Sequence, residues 1–347
     1  MTYNCNGSYK IGEYNIESFD IVPNSFVDMI EMNSTNSVSV KLYNIVSDDF
    51  EKDTVIDITM EHFVQNDAYL IVLGGWIPCS CIARNTLLLA DKNIVSEIKR
   101  RYSNGRKKVN EELDSFDNIF LNMNVILDLS PFVLEGNKQK LPENQQIDEQ
   151  YCSAYYDINL ALPKLNIATY PTSYYHNIKN ALAPIIDKRI IFLQKITPKI
   201  NKQFKDENKE EALKVVFQVA EETMLKKDDL VVLLALLRII IKGNKSPAQL
   251  VLKDSQNYSK ENAYNAIFDL VTIELLINYN SFNHNTPYKK AFITRDKGLS
   301  LFSSIFNNTK ISDKVNGKLV ITSTLPVEIF GKDEKLIELY KKWLDLN

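Results

Sequence analysis

The sequence predicts an α/β fold in which acidic side chains stand at the carboxyl ends of sheet strands. Leu87–Ile98 (LLLADKNIVSEI) opens with a short apolar run, typical of a buried strand, that ends at Asp91 and passes into a helical pattern. Ala291–Thr294 is a second such run, and Arg295 and Asp296 follow it directly. Open parallel sheets bind their ligands at the carboxyl ends of the strands, so both acids are candidate site residues.

Composition excludes several classes of protein. The chain has 347 residues, 45% of them apolar, which is enough for two domains or for one domain with large insertions. The net charge of −3 is not that of a nucleic-acid-binding chain overall, so any such contact must come from a local patch. Four cysteines and three histidines indicate neither a disulfide framework nor a zinc site.

Two features predict a soluble, cytoplasmic protein. The N-terminus lacks the charged and then apolar pattern of a signal segment. The longest apolar run, Leu230–Ile241, is about half of the roughly 20 residues that a bilayer requires, and it contains Arg238.

The patterns divide the chain into three regions. Residues 1–80 contain short alternating or apolar runs and predict a small β or α+β module. Residues 81–347 are expected to form the main domain, with a helical insertion at about 146–256. Within the insertion, Leu230–Ile241 is apolar on all sides, which predicts a buried helix. A further helix is predicted over Glu111–Leu127.

Two more acids stand in apolar surroundings. Glu135 closes an apolar segment and precedes a glycine, although an isolated glutamate of this kind is more often a surface residue. Asp269 lies in a predicted helix over Lys260–Tyr279, on nearly the same face as Ala266 and Ile273. Because a buried acid is costly unless it is paired or metal-bound, Asp269 is a candidate ligand.

Convergence of Asp91, Glu135, Asp269 and Asp296 would create a metal site. Four neighbouring carboxylates repel one another, and bound divalent cations remove that conflict. Oxygen ligands suit Mg²⁺ or Mn²⁺, and two such ions can promote phosphodiester hydrolysis without a nucleophilic side chain. These four acids therefore indicate a metal-dependent nuclease.

Supporting residues flank these acids. Asn93 and Thr294 could position water or substrate beside the two strand-end acids. A basic segment at the end of the first helix could hold phosphates, or it could be a solvated face that stabilises the helix carbonyls. Its candidate nucleic-acid-binding residues are Lys99, Arg100, Arg101, Arg106, Lys107 and Lys108.

Four segments resemble those that carry the acids of PIN domains. The match extends over roughly residues 86–145 and 258–323, and the last segment is the most specific. The segments are LLLADKNIVSEIK with Asp91 and Asn93, PFVLEGN with Glu135, NAIFDLVTIELL with Asp269, and AFITRDKGLSLF with Thr294 and Asp296.

The resemblance implies a three-layer α/β/α PIN-like domain with a central parallel sheet. It also implies a Mg²⁺- or Mn²⁺-dependent endoribonuclease, with RNA as substrate and a 5′-phosphate as product. The N-terminal module and the helical insertion depart from compact toxin-type members and look more like embellished PIN-like nucleases of bacterial stress or phage-defence systems. A regulatory partner protein or a homo-oligomer is expected, because a cell does not tolerate an unrestrained nuclease.

Three alternatives stay open. The substrate could be DNA, because an acid cluster does not choose between the two nucleic acids. The chain could be a catalytically silent RNA-binding or scaffold module. A covalent aspartyl-phosphate enzyme would need a second acid two residues after the strand-end Asp91, where Asn93 stands. The absence of a G-x-G-x-x-G or Walker motif argues against a nucleotide-cofactor enzyme.

Overall fold

The computed structural model describes residues 2–3, 9–22, 37–51, 53–61, 68–136, 138–241, 246–253, 257–282, 289–305, 310–315 and 318–345. The strands in these residues are β1 Thr2–Tyr3, β2 Tyr9–Ile11, β3 Tyr14–Ile16, β4 Ser18–Val22, β5 Ser37–Val46, β6 Ile56–Glu61, β7 Tyr69–Val72, β8 Gly75–Pro78, β9 Thr86–Ala90, β10 Tyr102–Ser103, β11 Arg106–Lys107, β12 Ile126–Asp128, β13 Asn166–Ile167, β14 Lys289–Thr294, β15 Lys310–Val315 and β16 Lys318–Thr322. The α-helices are α1 Lys92–Arg101, α2 Ser115–Asn122, α3 Ser130–Glu135, α4 Asn144–Ala161, α5 Thr172–Ile200, α6 Asp206–Glu222, α7 Leu230–Ile240, α8 Pro247–Leu252, α9 Lys260–Phe282, α10 Lys297–Ser303 and α11 Glu334–Trp343.

The N-terminal part of the chain is β-rich. Strands β1–β3 and β4–β6 form two separate antiparallel three-stranded sheets. Along β5, Val40 and Leu42 are buried whereas Lys41 and Tyr43 are exposed. This alternation arises because successive side chains of a strand point to opposite faces, and it matches the short alternating runs that the sequence shows in residues 1–80.

The central sheet has six strands in the order β13-β12-β9-β14-β7-β8. The first four run parallel to one another, whereas β7 pairs antiparallel with β14 and with β8. The α/β class is confirmed and the sheet is mostly parallel as expected, but the antiparallel β7 makes it mixed rather than parallel throughout. The tight turn at Gly74 and Gly75, both at positive φ, reverses the chain between β7 and β8, so this edge can only be antiparallel.

The parallel strands bring distant acids to one edge of the sheet. Strand β9 pairs with β14 so that Ala90 lies opposite Ile293. Asp91 and Thr294, which directly follow these two residues, therefore leave the sheet side by side although they are 203 positions apart along the chain. The register of one strand pair thus creates the junction that the sequence predicts.

Three sequence-based boundaries differ from the structure. Strands β7 and β8 belong to the central sheet, so the boundary at residue 80 cuts through it. Strand β13 and the start of α4 likewise place the boundary at 146 inside the sheet domain. The helix expected over Glu111–Leu127 is only α2, and Leu127 lies in strand β12. A three-residue strand is too short to show a period of two, which is why an apolar helix and β12 could not be separated by pattern.

The helical region packs around α7. All eleven side chains of α7 are buried, as its uniform apolarity predicts. Helix α5 packs against α6, α7 and α9, so the helical region is joined directly to the helix that carries Asp269. None of the described helices is both long and apolar enough to span a bilayer.

A buried arginine ties these helices together. Arg189 of α5 donates from Nε to Asp229 Oδ2 at 3.1 Å and from Nη1 to Glu274 Oε2 of α9 at 2.9 Å. Asp229 also accepts from the backbone N–H of Val231 and so caps α7. The Arg189 side chain is only 4% exposed, so its charge depends on these two acids for solvation.

Replacing Arg189 by methionine should lower the free energy of unfolding by about 3–5 kcal/mol, because it leaves the buried Asp229 and the partly buried Glu274 without their partner. Urea unfolding monitored by circular dichroism measures the change. Lys195→Met on the same helix is the matched control: its ion pair with Glu222 is roughly half exposed on both sides, and its loss should cost less than about 1 kcal/mol. Equal losses in the two variants would show that the buried triad contributes no more than a surface pair.

Candidate active site

The four predicted acids line one cavity of about 420 Å³. They reach it from four elements: Asp91 after β9, Glu135 at the end of α3, Asp269 in α9 and Asp296 after β14. The sequence-predicted Asn93 also lines this cavity, and Thr294 lies buried directly behind it. The further lining residues are Lys92, Gly136, Lys138, Gln139, Lys253, Tyr264 and Asn265.

Asp91 and Asp296 each cap a helix. Asp91 Oδ1 accepts from the backbone N–H of Ile94 at 2.8 Å, and Asp296 Oδ1 accepts from that of Leu299 at 2.8 Å. Carboxylates at helix N-termini are stabilised by the unpaired N–H groups and the helix dipole. Each aspartate uses Oδ1 in its cap, so Oδ2 is not needed for capping.

Thr294 connects the two caps. Its Oγ1 accepts from the backbone N–H of Asp296 at 3.1 Å and makes a long contact of 3.4 Å with Asp91 Oδ2. The threonine is fully buried, so its rotamer is held by the surrounding core. The supporting position that the sequence assigned to Thr294 therefore has a defined geometry: it orients both acids.

Glu135 and Asp269 approach from the opposite helices. Glu135 ends α3, and the left-handed Gly136 (φ 71°) turns the chain away directly after it. The Glu135 carbonyl accepts a 2.7 Å hydrogen bond from Tyr264 of α9, which joins the two acid-bearing helices. Asp269 lies between the buried Ala266 and Ile273 on the face that the sequence predicts.

Burial and repulsion between acids raise the pKa values of Asp91, Glu135 and Asp269. Burial raises the pKa of Asp91 to about 6 with a smaller contribution from Asp296, and burial raises that of Glu135 to about 7 with a smaller contribution from Asp91. The pKa of Asp269 is raised well above its ordinary value by burial first and then by Asp296, Asp91 and Glu135. The cavity therefore stores unfavourable electrostatic energy that a bound cation would relieve.

The donor set suits a hard divalent cation, although it does not form a closed cage. Among the described residues, no three carboxylate, imidazole or thiol groups cluster as tightly as a metal ion enclosed by protein alone would require. Mg²⁺ commonly keeps several waters and is held by one or two carboxylates together with substrate phosphates. An open cavity lined by four carboxylates fits that mode of binding.

Several cavity residues carried no sequence signal. Lys92 and Asn265 are unremarkable helix residues in the sequence, and Lys253 adopts a left-handed conformation (φ 50°) at the end of α8. Lys138 follows the turn at Gly136. Only their common place on the cavity wall distinguishes them, although Asn265 could have been found from its spacing of four residues before Asp269.

A further strand-end acid was also missed. Asp128 ends β12, next to β9 in the sheet, and is fully buried. Its carboxylate accepts from the backbone N–H of Ser130 and from the Tyr170 hydroxyl, both at 2.8 Å. Because Asp128 does not line the acid cavity and its oxygens are engaged, it supports α3 rather than extending the site. Because the residues just before Asp128 were predicted to form a helix over Glu111–Leu127, Asp128 was not recognised as a strand-end acid.

The basic segment Lys99–Lys108, which begins in the last turn of α1, does not line the cavity. Most of its charged groups bind other groups of the chain. Lys99 pairs with Asp157 at 2.5 Å, and Lys107 pairs with Asp117 at 2.8 Å. Arg101 binds Glu97, Asp114 and Asp117, Arg100 binds Glu97, and Lys108 donates to the Lys99 carbonyl. Arg106 is exposed and has no ion pair with another described residue. The predicted role of these six residues in binding nucleic acid thus has little geometric support.

Glu97 joins this segment to the site. It accepts from Arg100 Nε at 2.9 Å and from Arg101 Nε at 2.5 Å, and it lies 3.4 Å from Arg295 Nη1. Arg295 stands between Thr294 and Asp296, so Glu97 links the helix of Asp91 to the turn of Asp296. Hydrogen bonds from Arg100, outweighing the cost of burial, lower the pKa of Glu97 to about 2.

Glu97→Gln should lower the free energy of unfolding by about 1.5–3 kcal/mol near neutral pH, because it removes the negative charge that accepts hydrogen bonds from Arg100 and Arg101 and pairs with Arg295. A carboxyl with a depressed folded-state pKa stabilises the fold above its unfolded pKa, near 4.5, and loses that contribution as pH falls towards about 2. Urea unfolding of wild type and variant should therefore give a difference that narrows as pH falls from 4.5. A difference independent of pH would contradict the charged role of Glu97.

Comparisons with known proteins found no match for this chain: no protein-family model, no curated protein and no solved structure is significantly similar to it.

Proposed function

We propose that the chain is a divalent-metal-dependent nuclease of PIN-like type that hydrolyses phosphodiester bonds, with RNA as its substrate. The observation that supports this most directly is the convergence of Asp91, Glu135, Asp269 and Asp296 from four separate elements on one cavity. The three-layer PIN-like architecture, Mg²⁺ or Mn²⁺ as cofactor, and a restraining partner or homo-oligomer belong to the same proposal.

The four acids would hold the metal, with Asn93 near them as a donor to water or substrate. When bound, such ions activate a water molecule and offset the charge on the leaving oxygen of a phosphodiester. In the hydrolysis, water oxygen forms a bond to phosphorus and the bond from phosphorus to the 3′ oxygen breaks. The 3′ oxygen takes up a proton, which leaves a 3′-hydroxyl and a 5′-phosphate.

The chain's own residues contribute orientation. Thr294 fixes Asp91 relative to the turn of Asp296, and the two helix N-termini each hold one oxygen of a capping aspartate. The Tyr264 hydroxyl holds the end of α3, and with it Glu135, against α9. Groups held in this way need no reorganisation when charge develops on the reacting phosphate.

The covalent aspartyl-phosphate alternative has less support. Its general acid or base is expected two residues after the strand-end aspartate. Asn93 occupies that position after Asp91, and Gly298 occupies it after Asp296. A β-carbon at Gly298 would lie 2.5 Å from Leu250 Cβ of α8, so close packing of α10 on α8 excludes a larger residue there.

Asp91→Asn and Asp296→Asn should each reduce cleavage below one hundredth of the wild-type rate while the protein stays folded, because only the charge that would hold the metal is removed. The assay uses transfer RNA, messenger RNA, and single- and double-stranded DNA with Mn²⁺ or Mg²⁺, and EDTA should stop the reaction. Asp187→Asn, an exposed acid on α5, is the matched control and should retain activity. Activity that survives EDTA would favour the covalent mechanism, and activity in both site variants would remove the site assignment.

Asp269→Asn should raise the free energy of unfolding in EDTA by about 0.5–2 kcal/mol, because it removes a buried carboxyl that three other acids repel. The same variant should lose the stabilisation that Mn²⁺ gives the wild type through preferential binding to the folded state. Thermal unfolding with and without Mn²⁺ measures both effects without relying on activity. Destabilisation in EDTA together with unchanged stabilisation by Mn²⁺ would place the metal elsewhere.

A further inference from the structure

Three lysine side chains line the acid cavity. Lys92 from the first turn of α1, Lys138 after α3 and Lys253 after α8 line the same cavity as the four acids. None of these three ammonium groups forms a hydrogen bond or an ion pair with another described residue, in contrast to most of the basic segment after α1. Three lysines from three elements therefore surround the cavity with their charges unpaired within the described chain.

Two of these lysines change the pKa values of the acids without forming ion pairs with them. Lys92 lowers the pKa of Glu135, and Lys253 lowers that of Asp269, in each case against the larger effect of burial. Yet neither lysine comes within ion-pair distance of a described carboxylate. The cavity is thus lined by four carboxyl groups and by three ammonium groups that are not paired with them. A phosphate bridging a cation held by the acids and the lysines would match this arrangement of charge.

A second cavity lies beside the acid cavity, since Lys138 lines both. It measures about 240 Å³. Its other lining residues are Lys140, Pro142, Gln146, Glu149 and Gln150. Lys138 therefore lies between the two cavities. Lys140, which is also exposed, lines the second one.

The shape and lining of the two cavities favour one strand over a duplex. A volume of about 420 Å³ is within the range of pockets that enclose a single small ligand. The amides of Gln139 and Asn265 in the first cavity and of Gln150 in the second offer donors and acceptors to base edges. Gln146 offers only its amide N–H groups, because its Oε1 accepts from the backbone N–H of Glu143. Base edges are free for such contacts in unpaired strands.

We propose that a single nucleic-acid strand crosses the acid cavity and continues into the adjoining cavity, with Lys92, Lys138 and Lys253 binding the phosphates next to the acids and Lys140 binding the following one. This substrate path rests on the proposed nuclease function. It assigns phosphate binding to these four lysines in place of the basic segment Lys99–Lys108.

The test is fluorescence anisotropy of labelled oligouridylates of 2 to 12 nucleotides, in EDTA and in Ca²⁺, at several salt concentrations. Lys138→Gln/Lys140→Gln should weaken binding of the 12-mer about tenfold, weaken binding of the dinucleotide less, and reduce the slope of log affinity against log salt by about 1.4. Arg106→Gln/Lys108→Gln is the matched control. It removes two positive charges from the basic segment and should change affinity less than twofold.

Equal losses in the two double variants, or tighter binding of a duplex than of a single strand of the same length, would overturn the path. A cleavage assay with Mn²⁺ separates the two proposals. If wild type cleaves RNA but the Lys138/Lys140 variant binds normally, the path is wrong and the nuclease stands. If wild type binds strands through these lysines but cleaves none, the path is correct and the nuclease proposal fails.

Discussion

Enclosing four carboxyl groups in one cavity is the constraint around which the rest of the site is built. Each carboxylate loses hydration on burial, and each repels its neighbours, as the raised pKa values of Asp91, Glu135 and Asp269 show. Helix N-termini offset part of this cost at Asp91 and Asp296. Lys92 and Lys253 offset a further part at Glu135 and Asp269. The rise in pKa that is left is the physical argument for proposing a cation in the cavity.

The position of the acids depends on a rigid frame of strands and helices. Parallel pairing of β9 with β14 brings Asp91 beside Thr294, and the Tyr264 hydroxyl joins α9 to the end of α3. The helical region reinforces this frame from the outside, since Arg189 of α5 binds Glu274 one and a half turns after Asp269 on α9. The sheet, the acid-bearing helices and the helical region are therefore connected to one another around the same cavity.

Positive charge is divided between two tasks. Arg101 and Lys107 hold buried or partly buried acids, above all Asp117, whose side chain is fully buried. These cations stabilise the fold at the far end of α1, where Arg101 lies about 15 Å along the helix from Asp91. Lys92, Lys138 and Lys253, which line the cavity, form no ion pair with another described residue. A run of basic residues in a sequence therefore does not reveal which cations are available to a ligand, because pairing depends on acids such as Asp157 that are distant in sequence.

Short-range patterns in the sequence were sufficient for β9, α1, α7, α9 and β14, because each is long or uniform enough for its periodicity to be read and the strand-end acids follow directly. The same patterns failed for β12, β13 and the β7–β8 edge. These strands have two to four residues, and all except β8 pair with strands that lie far away along the chain. Their place in the sheet is set by register and by hydrogen bonds that no local window contains.

By itself, the sequence determined the α/β class and the four candidate acids, whose carboxylate oxygens could bind a hard divalent cation. Only the tertiary structure decided that these acids share one cavity, that the basic segment is mostly paired with the chain's own acids, and that Lys92, Lys138 and Lys253 surround the site. The physical reason is that the identity of an acid or a lysine is local, whereas its burial, its partner and its pKa are properties of the folded neighbourhood.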